Sequence, residues 1–189
     1  MNPIDPRARR TRDRLRAAVR ELAADHDPAA ISMGAIARHA DVNRATVYAH
    51  HSDVDSLVAD ALDDTIAHVA RAAALCPLDA PRDRPPAPLV ELFTRVGADA
   101  VLVARVLGPH GSPRAAAELR ERTAAALAER FAAGARPAGT AGVDPEVHAA
   151  YLAGALTGVL AHWTAGGPAV PAEDAALAFW RLLRAGPGD

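Results

Sequence analysis

Lysine is missing from this 189-residue chain; all 21 of its basic residues are arginine. A phosphate-gripping P-loop therefore has no lysine to use, and the one glycine-containing run that invites the comparison, GPHGSP at 108–113, has no strand pattern before it. Cysteine occurs once, at Cys76, so no disulfide can form within the chain and a reducing compartment is expected. Cys76 stands at a helix end beside Pro77 with no activating base patterned around it, which argues against a thiol nucleophile. No run of 18 apolar residues occurs, and no basic stretch leads into an apolar one at the N-terminus. Neither membrane insertion nor secretion is expected, which leaves the cytoplasm. His39, His50 and His51 invite a metal reading, but adjacent histidines on a helix point about 100° apart. No metal and no cofactor is expected, and the chain does not read as an enzyme.

Half of the residues are hydrophobic and the net charge is −2, as in a folded protein with a proper core, either one domain or a small one joined to a larger. The small net charge hides an asymmetry. Residues 1–51 carry nine arginines against six acids, and the remainder carries twelve against seventeen. Seven of those arginines precede residue 21, so a basic N-terminal arm is attached to a mildly acidic body. That is the layout of a polyanion-binding portion, although a solvated helix face has the same composition.

Helical periodicity runs throughout, and no segment alternates as a half-buried strand would. Leu15, Ala18, Val19 and Leu22 mark a helix over about 11–24, which breaks at His26-Asp27-Pro28. Ser32 is placed to cap a short helix ending near Ala40. Asp41-Val42-Asn43 is a three-residue turn, and Asn43 caps the next helix. Ser52 or Asp53 starts a long helix to Leu75, with Asp55 in a capping-box position. A proline-rich loop at 77–88 is expected to be mobile. Further helices are predicted at about 89–107, 113–134, 145–165 and 172–184.

The stretch NRATVYAHHS at 43–52 is the most specific in the chain. With Val47 facing inward, Ala45 and Ala49 form the outer midline. Arg44 and Tyr48 lie along one edge, Thr46 and His50 along the other. A helix with small residues on its midline and hydrogen-bonding groups at its edges can press its backbone against a polar surface. Two short helices joined by a three-residue turn, the second so equipped, have the layout of a helix-turn-helix that enters the DNA major groove. In that reading Arg44 forks onto guanine, Ala45 or Ala49 touches a thymine methyl, and Thr46, Tyr48, His50 and Ser32 bind phosphate. On pattern alone, an ordinary helical hairpin with a polar surface fits equally well.

The run ISMGAIARHADVNRATVYAHHSDVDSL resembles the DNA-binding signature of the TetR family of transcriptional regulators. Ser32, Ile36, Ala37, Ala40, Val42, Thr46, Val47, Tyr48, His50 and Leu57 match position by position. The resemblance covers roughly residues 11–60. It implies that Ser32, Thr46, Tyr48 and His50 grip the DNA backbone while Arg44 and Ala45 meet base edges. Three positions depart from the pattern. His26 stands where a glycine usually ends the first helix, and would take a left-handed conformation only at a cost. His51 replaces a common phenylalanine, so that a core contact is weakened or becomes a hydrogen bond. Val54 replaces a phosphate-holding lysine.

The expected fold is all-α. Residues 1–52 form a three-helix helix-turn-helix DNA-binding domain with its arginine-rich arm, and residues 53–189 form a larger ligand-binding and dimerisation domain. Leu152, Leu156, Val159, Leu160 and Trp163 make an apolar stripe in which Gly154 and Gly158 admit close approach. With Leu177, Trp180 and Leu183 of the last helix, this stripe resembles the helix pair that family members use to dimerise; intramolecular core is the other reading. A small-molecule effector would sit among the helices from 53 to 165, with His68, Phe93, His148, Tyr151 and His162 as candidate lining residues. The resulting expectation is a ligand-responsive regulator, in the family's commonest sense a repressor, binding double-stranded operator DNA as a homodimer away from any membrane. An all-helical enzyme, or a helical interaction module without DNA binding, is the alternative.

Overall fold

A computed structural model describes residues 6–137, 139–140, 142–167 and 169–184, and among these the regular elements are all helical. In chain order they are α1 (Pro6–Asp25), α2 (Met33–His39), α3 (Arg44–His50), α4 (Val54–Leu75), α5 (Ala87–Ala98), α6 (Ala100–Leu107), α7 (Pro113–Ala132), α8 (Pro145–Ala165) and α9 (Ala172–Leu183). The first five residues of the basic arm lie outside the described residues, and from Pro6 the arm is already helix. Two compact units form. One runs to Asp63 and takes in Arg105–Ala116; the other holds Asp64–Ala104 and the chain from Ala117. Packing therefore divides the chain at 63/64, beyond the expected 52/53, and gathers the segment around GPHGSP with the N-terminal helices.

In the first unit Leu15, Ala18, Val19 and Ala23 line the inner side of α1, and Ile36, Val47, Leu57 and Val58 are buried with them. Each aliphatic side chain taken fully from water contributes about 1.5–3 kcal/mol. Ser32 Oγ accepts from the Ala35 N–H and Asn43 Oδ1 from the Ala45 N–H, so both predicted caps form. The capping box expected with Asp55 does not. Asp53 accepts from the Ser56 N–H at 2.7 Å instead, and Asp55 turns to the start of α7, where it accepts from the Ser112 hydroxyl and the Arg114 N–H. Arg16 forks onto Asp60 at 2.8 and 3.0 Å, and Arg20 donates to the Ala61 carbonyl. These two arginines of the arm hold α1 to α4 and are turned away from solvent.

The left-handed residue is not His26, whose N–H still bonds the Leu22 carbonyl as the helix would. It is Asp41, with φ 49°, the one non-glycine at positive φ among the described residues. The turn between α2 and α3 needs this conformation, and a short polar side chain tolerates it best. Its ion pair with Arg14 is largely exposed and adds little. We expect Asp41→Val to lower unfolding free energy by about 1–2 kcal/mol through the β-branched strain alone, while Asp41→Gly leaves it unchanged or raises it. Urea melts of the two variants check this.

The second unit packs α5, α8 and α9 around Trp180, Phe93 and Phe131, with Leu92, Val96 and Leu160 among its other buried side chains. The helix expected over 89–107 is two, because Asp99 leaves helical geometry and serves α6 as a cap, its carbonyl accepting from Val103 N–H. Thr65 Oγ1 donates to the Asp99 carboxylate at 3.3 Å, which gives that side chain a partner off the helix. The proline-rich loop is not loose. Trp180 Nε1 donates to the Pro81 carbonyl at 2.7 Å, Arg184 donates to the Leu78 carbonyl at 2.6 Å, and Pro85 and Pro86 are buried. Among the described residues no helix is long and apolar enough to cross a membrane.

Candidate nucleic-acid interface

On α3 the fully buried Val47 sets the rotation. Ala45 and Ala49 are exposed along the outer midline, Arg44 and Tyr48 are exposed on one edge, and Thr46 and His50 are half-buried on the other. Arg44 Nη2 donates to the Tyr48 hydroxyl at 3.3 Å, and its guanidinium lies 5.6 Å from the Tyr48 ring centre. That hydrogen bond, with the tyrosine's field, raises the Arg44 pKa above its ordinary value. The two side chains thus hold each other one helical turn apart. The tyrosine oxygen accepts from arginine, so its own proton is free to point outward. Ser32 lies exposed at the start of α2, its oxygen accepting from the backbone and its hydroxyl hydrogen left to donate.

Behind this face lies a polar cluster that sequence reasoning did not assemble. His51, at the end of α3, has its Nε2 buried 3.7 Å from Asp60, too far for a hydrogen bond. Burial lowers the His51 pKa; His50, Arg12 and Arg16 push the same way, and Asp60 opposes them. Burial also works against the Asp60 charge, but the two Arg16 hydrogen bonds outweigh it and its pKa falls. The expected phenylalanine contact is thus replaced by a neutral imidazole in a tight polar site. Because the folded pKa of His51 is depressed, its contribution to stability is present above the ordinary value of 6.5 and is lost as pH falls below it. Melting temperature should therefore fall between pH 7.5 and 5.5, and less steeply in His51→Phe. Equal slopes would mean that His51 is solvated in solution.

In the second unit the predicted ligand residues do not converge. Phe93 is core, its ring 5.3 Å from Trp163 and 6.4 Å from Phe179. His148 is buried and stacks on Phe131 at 5.0 Å, and His68 is half-buried with its Nε2 lacking a partner among the described residues. Tyr151 and His162 face outward. None of the five lines the small apolar cavity of about 30 Å³ between Cys76, Leu89, Leu127, Leu152, Phe179 and Trp180. Burial raises the Cys76 thiol to about 11, so it is a small hydrophobe there. The predicted dimer residues split likewise. Leu152, Leu156 and Trp180 are buried within their own unit and offer no surface, while Val159, Trp163 and Leu177 are half-buried. Gly154 and Gly158, predicted for the dimer, are exposed, but beside Val147 and Tyr151 in another stripe of α8 than the leucines they were grouped with.

A capped helix pair turned by a left-handed residue, with the outer face of α3 so composed, defines a helix-turn-helix regulator. Residues 15–61 match the model of the bacterial regulatory proteins of the tetR family. No curated protein sequence matches. Solved structures share the fold along nearly the whole chain. One is the fatty acid degradation regulator FadR from Bacillus halodurans, 17% identical, with 98% of each chain covered and a TM-score of 0.67. Another is NalD of Pseudomonas aeruginosa, the secondary repressor of the MexAB-OprM multidrug efflux pump, 16% identical, with 94% of this chain and 95% of that one covered and a TM-score of 0.63. A regulator from Pseudomonas aeruginosa PAO1, 19% identical over 94% and 90%, has a TM-score of 0.56.

Proposed function

We propose that this DNA-binding regulator is a ligand-responsive repressor that engages a near-palindromic operator as a homodimer, with residues 1–52 reading DNA and residues 53–189 binding effector and partner. The observation that carries the reading is the outer face of α3, where Ala45 and Ala49 leave the helix backbone open between Arg44–Tyr48 and Thr46–His50. In the major groove Arg44 forks onto guanine O6 and N7 and Ala45 lies against a neighbouring base, while Tyr48, Thr46, His50 and Ser32 donate to phosphates and Asn43 holds the helix end. The partner surface is the outward stripe of α8 with Ala178 and Leu182 of α9, where Val147, Tyr151 and Leu182 are each more than 60% exposed. A dimer sets two α3 helices at one spacing, matched to half-sites in successive grooves. An effector that favours another spacing lowers operator affinity, with a coupling of about 1–3 kcal/mol. Asp55, clamped to Ser112 and Arg114, ties the first turn of α4 to the first turn of α7, and both helices continue into the second unit. Repression is proposed as the sense of regulation.

Footprinting the purified chain upstream of its own gene and its neighbours tests the reading; no protected sequence would leave a helical interaction module in its place. Once an operator is in hand, Arg44→Ala should cost about 1–3 kcal/mol at one base pair per half-site, with little change on non-specific DNA. Equal loss on every sequence would make Arg44 a phosphate contact.

A further inference from the structure

Near the joined ends of α7, α9 and the proline-rich loop, the second unit has an open cleft of about 460 Å³ lined by Leu78, Asp79, Arg130, Gly134, Ala135, Arg136 and Arg184. Three arginines, Arg130 and Arg136 from the end of α7 and the chain just after it and Arg184 from the end of α9, line this one cleft with, among the described residues, a single carboxylate, that of Asp79. Each spends an N–H on a main-chain carbonyl, Arg130 on Cys76, Arg136 on Val143 and Arg184 on Leu78, which fixes its position. None of the three is ion-paired among the described residues. Among the described residues the Nε of Arg136 and the Nε of Arg184 are both buried without an acceptor. Gathering like charges in one cleft costs free energy unless an anion completes the set. Leu78 lines the Arg cleft and also the small apolar cavity beside Cys76 and Leu127, so the charged and apolar spaces adjoin at that side chain.

We propose that the effector is an organic anion, its carboxylate or phosphate held by Arg130, Arg136 and Arg184 and its apolar part lying on the Leu78 side. The assignment rests on the reading of the chain as a ligand-responsive regulator and names the chemical class that the second unit recognises. The neighbouring field agrees with it. His148, buried with its Nδ1 unpartnered among the described residues, has its pKa lowered first by burial and then by the Arg136 charge. Arg is suited to the task because its planar fork meets the two oxygens of a carboxylate or phosphate at once.

The test is calorimetric titration of the full chain with hexanoate, hexyl phosphate, hexan-1-ol and inorganic phosphate, alongside a gel shift on the footprinted operator. Both hexyl anions should bind at least about tenfold more tightly than hexanol, since charge-assisted bonds carry the difference. Hexyl phosphate should exceed inorganic phosphate, and the tighter of the two anions identifies the headgroup. The double variant Arg136→Gln, Arg184→Gln, checked for an unchanged helical spectrum, should lose the preference for anions. Hexanol binding as tightly as hexanoate in the unaltered chain overturns the proposal without any variant having to fold, and so does a double variant that keeps the preference. Anion binding that leaves the operator complex intact removes the effector role. A chain that binds no operator even without anion refutes the regulator reading, while the calorimetric preference still judges the cleft.

Discussion

Gly158→Leu is expected to turn the proposed dimer into a monomer and to lower operator affinity by about 10²–10⁴-fold, the gain that tethering a second half-site supplies. The reason is local. A side-chain carbon built at Gly158 meets nothing within 4 Å among the described residues, and Gly154, one turn earlier, is equally open. Leucine there is tolerated by the monomer and even raises helix propensity by about 0.7–1 kcal/mol. A second α8 packed against the glycine stripe has no room for it. Light scattering after gel filtration should give the mass of one chain, and the helical spectrum should be retained. A variant that remains dimeric with operator affinity intact would move the interface off this face.

Gly111→Ala should be the most damaging single-methyl change in the first unit. The added carbon would lie 2.0 Å from the Val106 carbonyl oxygen and 2.7 Å from that of Arg105, both backbone atoms that no side-chain rotation can clear. The loop must move, and with it Ser112, whose N–H bonds Val106, whose oxygen caps Ala115 and whose hydroxyl holds Asp55. Overpacking together with these losses amounts to about 3–5 kcal/mol. For a chain of this size the midpoint should drop by about 6–20 °C. Ser112→Ala, which keeps the backbone and removes only the hydroxyl, should show a smaller part of the same loss. An unchanged melt for Gly111→Ala would show that the loop rests in another arrangement in solution.

What could be read in advance was local. Ser32 and Asn43 cap their helices as their side chains and spacing predict, because each bond is closed within three residues. The outer face of α3 was legible for the same reason, with Val47 fixing the helix rotation. The partners of Asp55 were not, because Ser112 is 57 residues away and nothing in either neighbourhood marks the pairing. Arg16 and Arg20 counted toward a basic arm by composition, yet Asp60 and the Ala61 carbonyl, more than 40 residues on, claim them.

The all-helical composition, the Ser32 and Asn43 caps, the turn between α2 and α3 and the tetR-like signature of residues 15–61 were determined by the sequence alone, since each depends on spacings within one or two helical turns. Which side of α8 is interior was decided only by tertiary structure. That helix is apolar nearly all round, so Leu152–Leu156–Leu160 and Val147–Tyr151–Gly154–Gly158 offer no contrast by which one stripe could be told from the other. The three-arginine cleft is of the same kind. Arg130, Arg136 and Arg184 span 54 residues and meet because α7 and α9 end beside one loop, where the Leu78 and Cys76 carbonyls hold two of them in place. Periodicity reports which face of an amphipathic helix is buried, but for a helix apolar on every side, or charges drawn from separate segments, only the packing partner selects the face.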